Sequence, residues 1–185
     1  AHWRGRRRVF FDNTAGTMIL DRIARSEPSA RINTAANECG LDHPSTVYDE
    51  SRDFDDLVIE GKKALQDLLN ARSYENLTIG GSTTDLIFKV AYAIGRELTG
   101  RENIVTTYNE HYANTGPWME LQERKLVKEV RFAEIHKEDA TLDIDNFRSL
   151  VDRNTAVVSV TGASNLTGTK SPLKEIAKIA KETKA

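Results

Sequence analysis

The chain of 185 residues contains a single cysteine, Cys39. That excludes an internal disulfide framework and a Cys-x-x-Cys metal pair, and makes a reducing cytoplasmic compartment the expectation. No run approaches the roughly 20 apolar residues of a membrane span. The N-terminus has charge but no apolar stretch followed by small residues, so neither a membrane anchor nor a secretory leader is expected. An excess of positive charge is also lacking. Twenty-six Lys+Arg against 28 Asp+Glu leave a net charge of −2, which removes the main electrostatic case for nucleic acid. Arg4, Arg6, Arg7 and Arg8 are the local exception and read as a solvated terminus. The four histidines, His2, His43, His111 and His136, are scattered, so no metal site is expected. There is no internal repeat and no low-complexity tract.

What is present is the composition of a soluble globular protein. The hydrophobic set makes up 39% and charged residues 29%, enough apolar material to build a core. The length suits one domain or little more. The first third is irregular. Residues 17–26 predict a short helix, and 28–45, with Pro28, Gly40 and Pro44, predict a long loop. From residue 45 to about 70, Val47, Phe54, Leu57, Val58, Leu65, Leu68 and Leu69 fall on one helical face.

Four strand-like runs follow, Leu77–Ile79, Ile104–Thr107, Val130–Phe132 and Ala156–Val160, with starts 27, 26 and 26 residues apart. Helical patterns at 83–98, 114–125, 143–151 and 172–184 separate or follow them. Strand, helix, strand at that spacing predicts an α/β fold with a largely parallel sheet flanked by helices. The apolar run Ala156–Val160 predicts a central strand buried on both faces. In this architecture ligands gather at the carboxyl ends of the strands, so the segments to search are 80–85, 108–114 and 161–169.

Each carries unusual residues. Gly80-Gly81-Ser82-Thr83-Thr84-Asp85 lies between a strand and a helix. Its glycines permit close backbone approach, and hydroxyls at a helix N-terminus make a phosphate site. The same residues also suit a plain helix cap. No Gly-Lys-Ser/Thr follows, so it is not a Walker loop. Glu110-His111-Tyr112-Ala113-Asn114 places an imidazole over the strand ends, able to stack on a flat ring or to move a proton, or to serve only as a structural hydrogen-bonder or surface residue. Thr161-Gly-Ala-Ser164-Asn165-Leu-Thr-Gly-Thr169 can place the Asn165 amide in a cleft, or serve only as a turn before the helix that Pro172 opens.

Taken together, Phe11-Asp-Asn-Thr-Ala-Gly-Thr17, Gly81-Ser-Thr-Thr-Asp85, Glu110-His-Tyr-Ala-Asn-Thr-Gly-Pro-Trp118 and Ser164-Asn-Leu-Thr-Gly-Thr169 resemble the class V aminotransferase family. These are pyridoxal-phosphate enzymes of the aspartate aminotransferase fold, and the likeness is nearest to cysteine desulfurases. The resemblance runs from about Val9 to Ala185. It implies pyridoxal 5'-phosphate as cofactor, an amino acid as substrate and a homodimer in the full-length parent. It implies Thr84, assisted by Thr83, at the cofactor phosphate and His111 stacked on the pyridine ring with a catalytic role. Asn165 falls near the ring oxygen and the substrate carboxylate, and Asn13 near the substrate entrance. Gly81, Tyr112 and Gly162 depart from the desulfurase pattern. Cys39, in an early loop, does not match the desulfurase nucleophile.

By the same resemblance, residues 1–45 form an N-terminal arm and loop near the active site, and 46–185 the N-terminal half of the cofactor-binding large domain. None of the eleven lysines sits in the context of the family's cofactor-capturing lysine. Nor is the Asp that pairs with the pyridine nitrogen, or the Arg that binds the substrate carboxylate, expected within this stretch. The chain is therefore expected to be an N-terminal fragment, inactive by itself, of a parent that carries out C–S cleavage or a related elimination or transamination. Two other readings stay open on the residues alone: a phosphate- or nucleotide-binding α/β module, and a noncatalytic interaction protein derived from the same fold.

Overall fold

The computed structural model describes residues 2–7, 9, 14, 16–33 and 49–183, in two units, Ala1–Ile79 and Gly80–Ala185. In the first, strands β1 (His2–Trp3) and β2 (Arg6–Arg7) pair antiparallel. Arg4 and Gly5, with φ of 50° and 75°, make the turn, as two-residue hairpins require. The arginine-rich terminus is thus solvent-exposed at Arg4 and Arg6 but folded as a hairpin.

Helix α1 spans Asp21–Asn33 with Pro28 inside it. It begins later and runs further than the expected 17–26, so the start of the expected loop is helical. Proline removes one N–H but holds a φ that a helix accepts. Helix α2 spans Asp49–Leu69, its first turn carrying Asp49 and Glu50, which complement the positive end of the helix dipole. Asn70, at φ 51°, ends it. The Ala71 N–H returns to the Gln66 carbonyl at 3.0 Å, the bond that closes a helix through a left-handed residue. Of the apolar face expected here, Phe54 and Val58 are half-buried while Leu57, Leu65, Leu68 and Leu69 are exposed. Val47 lies outside the described residues.

A single 3-10 turn, Tyr74–Asn76, follows, capped by the Ser73 hydroxyl. The strand expected at Leu77–Ile79 is not formed; these residues join neither sheet. Three residues between a 3-10 turn and two glycines make too few ladder bonds to offset the entropy of ordering them.

The second unit runs α3 (Thr83–Gly95), β3 (Asn103–Thr107), α4 (Tyr112–Glu123), β4 (Glu129–Ala133), α5 (Ile144–Leu150), β5 (Thr155–Val158) and α6 (Leu173–Thr183). The strands form a parallel sheet in the order β4-β3-β5. All five residues of β3 are buried. Their alternation sends Ile104 and Val105 to opposite faces. Ile104 packs with Ala91, Trp118, Leu121 and Val127. Val105 packs with Ala133, Phe147, Val151, Ile176 and Ile179. Two apolar layers therefore hold one sheet between α3–α4 and α5–α6. Gly95 lets α3 and α4 close up, since a methyl group there would lie 2.9 Å from Leu121.

The strand expected to be central is not. Among the described residues β5 pairs with β3 alone and residues 156–160 are half-buried; β3 holds the middle of this three-stranded sheet. The apolar run Ala156–Val160 is longer than the Ile104-Val105 pair of β3, and hydrogen-bonded neighbours, which neither run specifies, put β3 in the middle.

At the amino ends of the strands, Arg131 on β4 donates to Asp152 (2.7 Å), the Leu150 carbonyl (2.8 Å) and Glu129 (2.7 Å). Asp152 also accepts from Asn103 on β3 (3.0 Å) and the Asn154 N–H (2.8 Å). The Arg131 guanidinium, followed by the Asn154 and Asn103 donors, holds the Asp152 carboxyl down at about 2.

Candidate functional site

The carboxyl ends of β3 and β5 and the N-termini of α3 and α4 surround a cavity of about 570 Å³, within the range of small-molecule sites. Ser82, Thr83, Thr84 and Ile87 form one wall, Glu110, His111, Ala113 and Asn114 a second, and Val160 and Thr161 a third.

On the α3 wall, Ser82 is the cap. Its hydroxyl accepts from the Asp85 N–H at 3.1 Å. Thr83 and Thr84 are exposed first-turn residues. Their N–H groups precede the first intrahelical bond, from Leu86 N–H to the Ser82 carbonyl, and point out of the helix end. Asp85 is engaged by Lys89 at 2.8 Å. The arrangement offers donors and the positive end of a dipole to an anion.

The second wall begins at a histidine that is also a helix cap. His111 Nδ1 accepts from the Ala113 N–H at 3.0 Å. With Nδ1 an acceptor, the proton of the neutral ring sits on Nε2. The exposed ring is thereby oriented by α4 rather than left to rotate. Tyr112 packs over Gly116, where a Cβ would meet its ring at 2.9 Å.

The third segment folds back on itself. Ser164 N–H bonds the Thr169 carbonyl at 2.9 Å, and the Gly168 N–H returns to the Ser164 carbonyl at 3.0 Å, with Gly168 at φ 75°. Asn165 sits exposed at this turn and is not among the cavity's lining residues. Pro172 lies one residue before α6 and accepts from the Glu175 and Ile176 N–H groups. Thus Thr83, Thr84 and His111 share one cavity, Asn165 occupies the neighbouring loop, and Asn13 lies outside the described residues.

Sequence reasoning assigned no role to three further residues here. The Asn109 amide donates to Thr169 (2.8 Å) and to the Ala140 carbonyl (3.3 Å). Glu110 accepts from Thr107, Asn114 and Thr161. Asn114 accepts from Ser159 (2.7 Å). The readable signal was the acid and amide at i and i+4 flanking a helix start. Among the described residues no group of three or more His, Cys, Asp or Glu comes together to hold a metal, and no helix is long and apolar enough to cross a membrane.

Comparison with known proteins gives the family and the fold. A family model described as Aminotransferase class-V matches residues 9–185. A cysteine desulfurase of Salmonella dublin is 35% identical over 181 residues, covering 89% of this chain and 44% of the relative. That of Salmonella newport is 35% identical over 122 residues, covering 65% and 30%. Among solved structures, the apo cysteine desulfurase of Thermococcus onnurineus NA1 superposes with a TM-score of 0.76 at 23% identity, over 95% of this chain and 42% of that one. A NifS-like protein does so with a TM-score of 0.79 at 22% identity, over 96% and 46%. These likenesses carry the fold, that of the aspartate aminotransferase-like enzymes. The chain spans less than half the length of each of these relatives.

Proposed function

The chain belongs to the aminotransferase class-V family, whose members are pyridoxal-phosphate enzymes, and from that premise we propose that it supplies the phosphate and ring contacts of a pyridoxal 5'-phosphate site. The whole protein, on this reading, is a cysteine desulfurase-like enzyme acting on an amino acid, by C–S cleavage or a related elimination or transamination. One observation carries the reading: hydroxyls at a helix N-terminus and a helix-fixed imidazole line the same cavity.

The residues present fit the cofactor. Among the described residues the Thr83 and Thr84 hydroxyls make no hydrogen bond within the protein, so they and the first-turn N–H groups of α3 are available to phosphate oxygens. The His111 ring offers a flat face for stacking, and its Nε2 proton can be given to a developing anion. Asn165, on the adjoining loop, and Asn13 are the residues we assign to the oxygen-rich edge of the site and the substrate entrance. When bound, the cofactor supplies an electron sink for carbanion chemistry; the chain's part is to anchor, orient and donate protons. We further propose a cytoplasmic homodimer for the whole protein, which sedimentation of the intact protein as a monomer would refute.

The test is a pyridoxal 5'-phosphate titration of the protein expressed from its intact gene, read by cofactor absorbance. His111→Phe keeps a ring and loses the cap, and His111→Asn keeps a cap and loses the ring. The expected order of cofactor affinity is wild type, then Phe, then Asn, with turnover of cysteine or other amino acids impaired in both. No saturable binding by the wild type overturns the reading, and unchanged affinity and turnover in both variants removes His111 from the site.

A further inference from the structure

Glu110 holds nothing in the reading above, yet its carboxylate joins three separate segments at the cavity. One oxygen accepts from the Thr107 hydroxyl at the end of β3 (2.9 Å) and from the Thr161 N–H beyond β5 (2.7 Å). The other accepts from the Asn114 amide in the first turn of α4 (2.8 Å). Asn114 in turn accepts from the Ser159 hydroxyl (2.7 Å). The directions are determined. The Thr107 hydroxyl accepts from the Asn109 N–H (3.2 Å), which leaves its proton for Glu110. The Thr161 N–H can only donate. Three donors converging on one half-buried side chain call for a group that only accepts, and a carboxylate is that group.

The location gives the clamp its consequence. Among the described residues the last backbone hydrogen bond between β3 and the end of β5 runs from the Ser159 N–H to the Val105 carbonyl (2.9 Å). Two residues further on, Thr161 is held by Glu110, and the residue after Glu110 is the His111 cap. Glu110, His111, Asn114 and Thr161 all line the cavity.

We infer that Glu110 is a positioning residue: its carboxylate ties the ends of β3 and β5 to the start of α4 and so fixes the spacing of two cavity walls and the seat of His111. The clamp stands on its own geometry; its effect on cofactor binding rests on the pyridoxal-phosphate reading.

The polarity of the Glu110–Asn114 pair supplies the test. Asn114→Asp sets carboxylate against carboxylate and breaks the pair. Adding Glu110→Gln restores it with donor and acceptor exchanged, while the Ser159 hydroxyl still finds an acceptor and the remaining Gln oxygen still receives Thr107 and Thr161. Two readouts on the intact protein separate the possibilities. The first, without cofactor, is hydrogen exchange at the Thr161 amide. It is expected to be protected in the wild type, to quicken about tenfold or more in Glu110→Ala and Asn114→Asp, the loss of a hydrogen bond to a charged group, and to slow again in the double variant. The second is pyridoxal 5'-phosphate affinity, expected to fall about tenfold in each single variant and to return to within about threefold of wild type in the double. Unchanged exchange at Thr161 in Glu110→Ala, or a double variant as impaired as Asn114→Asp, overturns the clamp whatever the cofactor does. Exchange that follows the expected pattern while the wild type binds no cofactor upholds the clamp and sinks the cofactor reading instead.

Discussion

The two ends of the parallel sheet are built from the same kinds of side chain and put to different uses. At the amino ends, Arg131, Glu129, Asp152, Asn103 and Thr155 bond to one another. At the carboxyl ends, Glu110, Asn114, Ser159 and Thr161 are equally interlocked, but beside them Thr83, Thr84 and the His111 ring face a cavity. A polar group bonded within the protein contributes to stability; one left facing a cavity contributes to binding, and its deletion costs the fold little. The candidate site lies at the end where polar groups beside a satisfied network are left facing a cavity.

The sharpest way to break the contrast is through the core both ends share. Phe147 is fully buried under β3, and Phe147→Ala is expected to cost about 3–5 kcal/mol. Urea unfolding followed by cofactor binding should show both ends failing together. Next, Arg131→Ala strips the amino end of its central donor. We expect a loss of about 2–3 kcal/mol, reduced from the fully buried case by partial exposure, with cofactor affinity unchanged under folding conditions. A fall in affinity as large as the fall in stability would dissolve the distinction between the two ends.

Thr84→Ala is the converse. It should weaken pyridoxal 5'-phosphate retention by about 1–2 kcal/mol and leave the urea midpoint within about 0.5 kcal/mol. Equilibrium dialysis beside denaturation decides it. The smallest effect concerns acid. The folded Asp152 carboxyl titrates at about 2, below the roughly 3.9 of an unfolded aspartate. Its contribution is therefore complete above the unfolded value and is lost as pH falls from about 4 through 2. Asp152→Asn should flatten the stability profile in that window, and a profile of unchanged slope would show the pair to be too solvated to matter.

The strands at Ile104, Val130 and Ala156 and the helices between them were legible because burial on both faces of a parallel sheet leaves apolar runs at a regular interval. That a hydroxyl in Ser82–Thr83 caps α3 was legible because capping is a local matter of side chain and first-turn N–H groups. Sheet order was not. The prominence of Ala156–Val160 says how apolar a strand is, and only pairing across about 50 residues puts β3 in the middle. The three residues Leu77–Ile79 looked like a strand in isolation and pair with no strand among the described residues. Likewise Glu110 and Asn114 were visible as parts of a motif, but their work is done on Thr161 and Ser159, 51 and 45 residues away. Contacts of that range follow from tertiary register, which no local pattern encodes.

His111 shows what such a design does to evolutionary drift. Its nitrogen closes the first turn of α4 while its ring faces the cavity. Asparagine, aspartate or serine can replace the first duty, and phenylalanine or tyrosine the second, but no other standard side chain combines a short-range acceptor with an aromatic plane. A lineage that changes this position loses either a helix start or a ring surface at once, so on the proposed reading of the site the codon is filtered by folding and by cofactor binding independently. A descendant that had abandoned catalysis would still be held by the first filter, and is expected to settle on a capping residue rather than to wander freely.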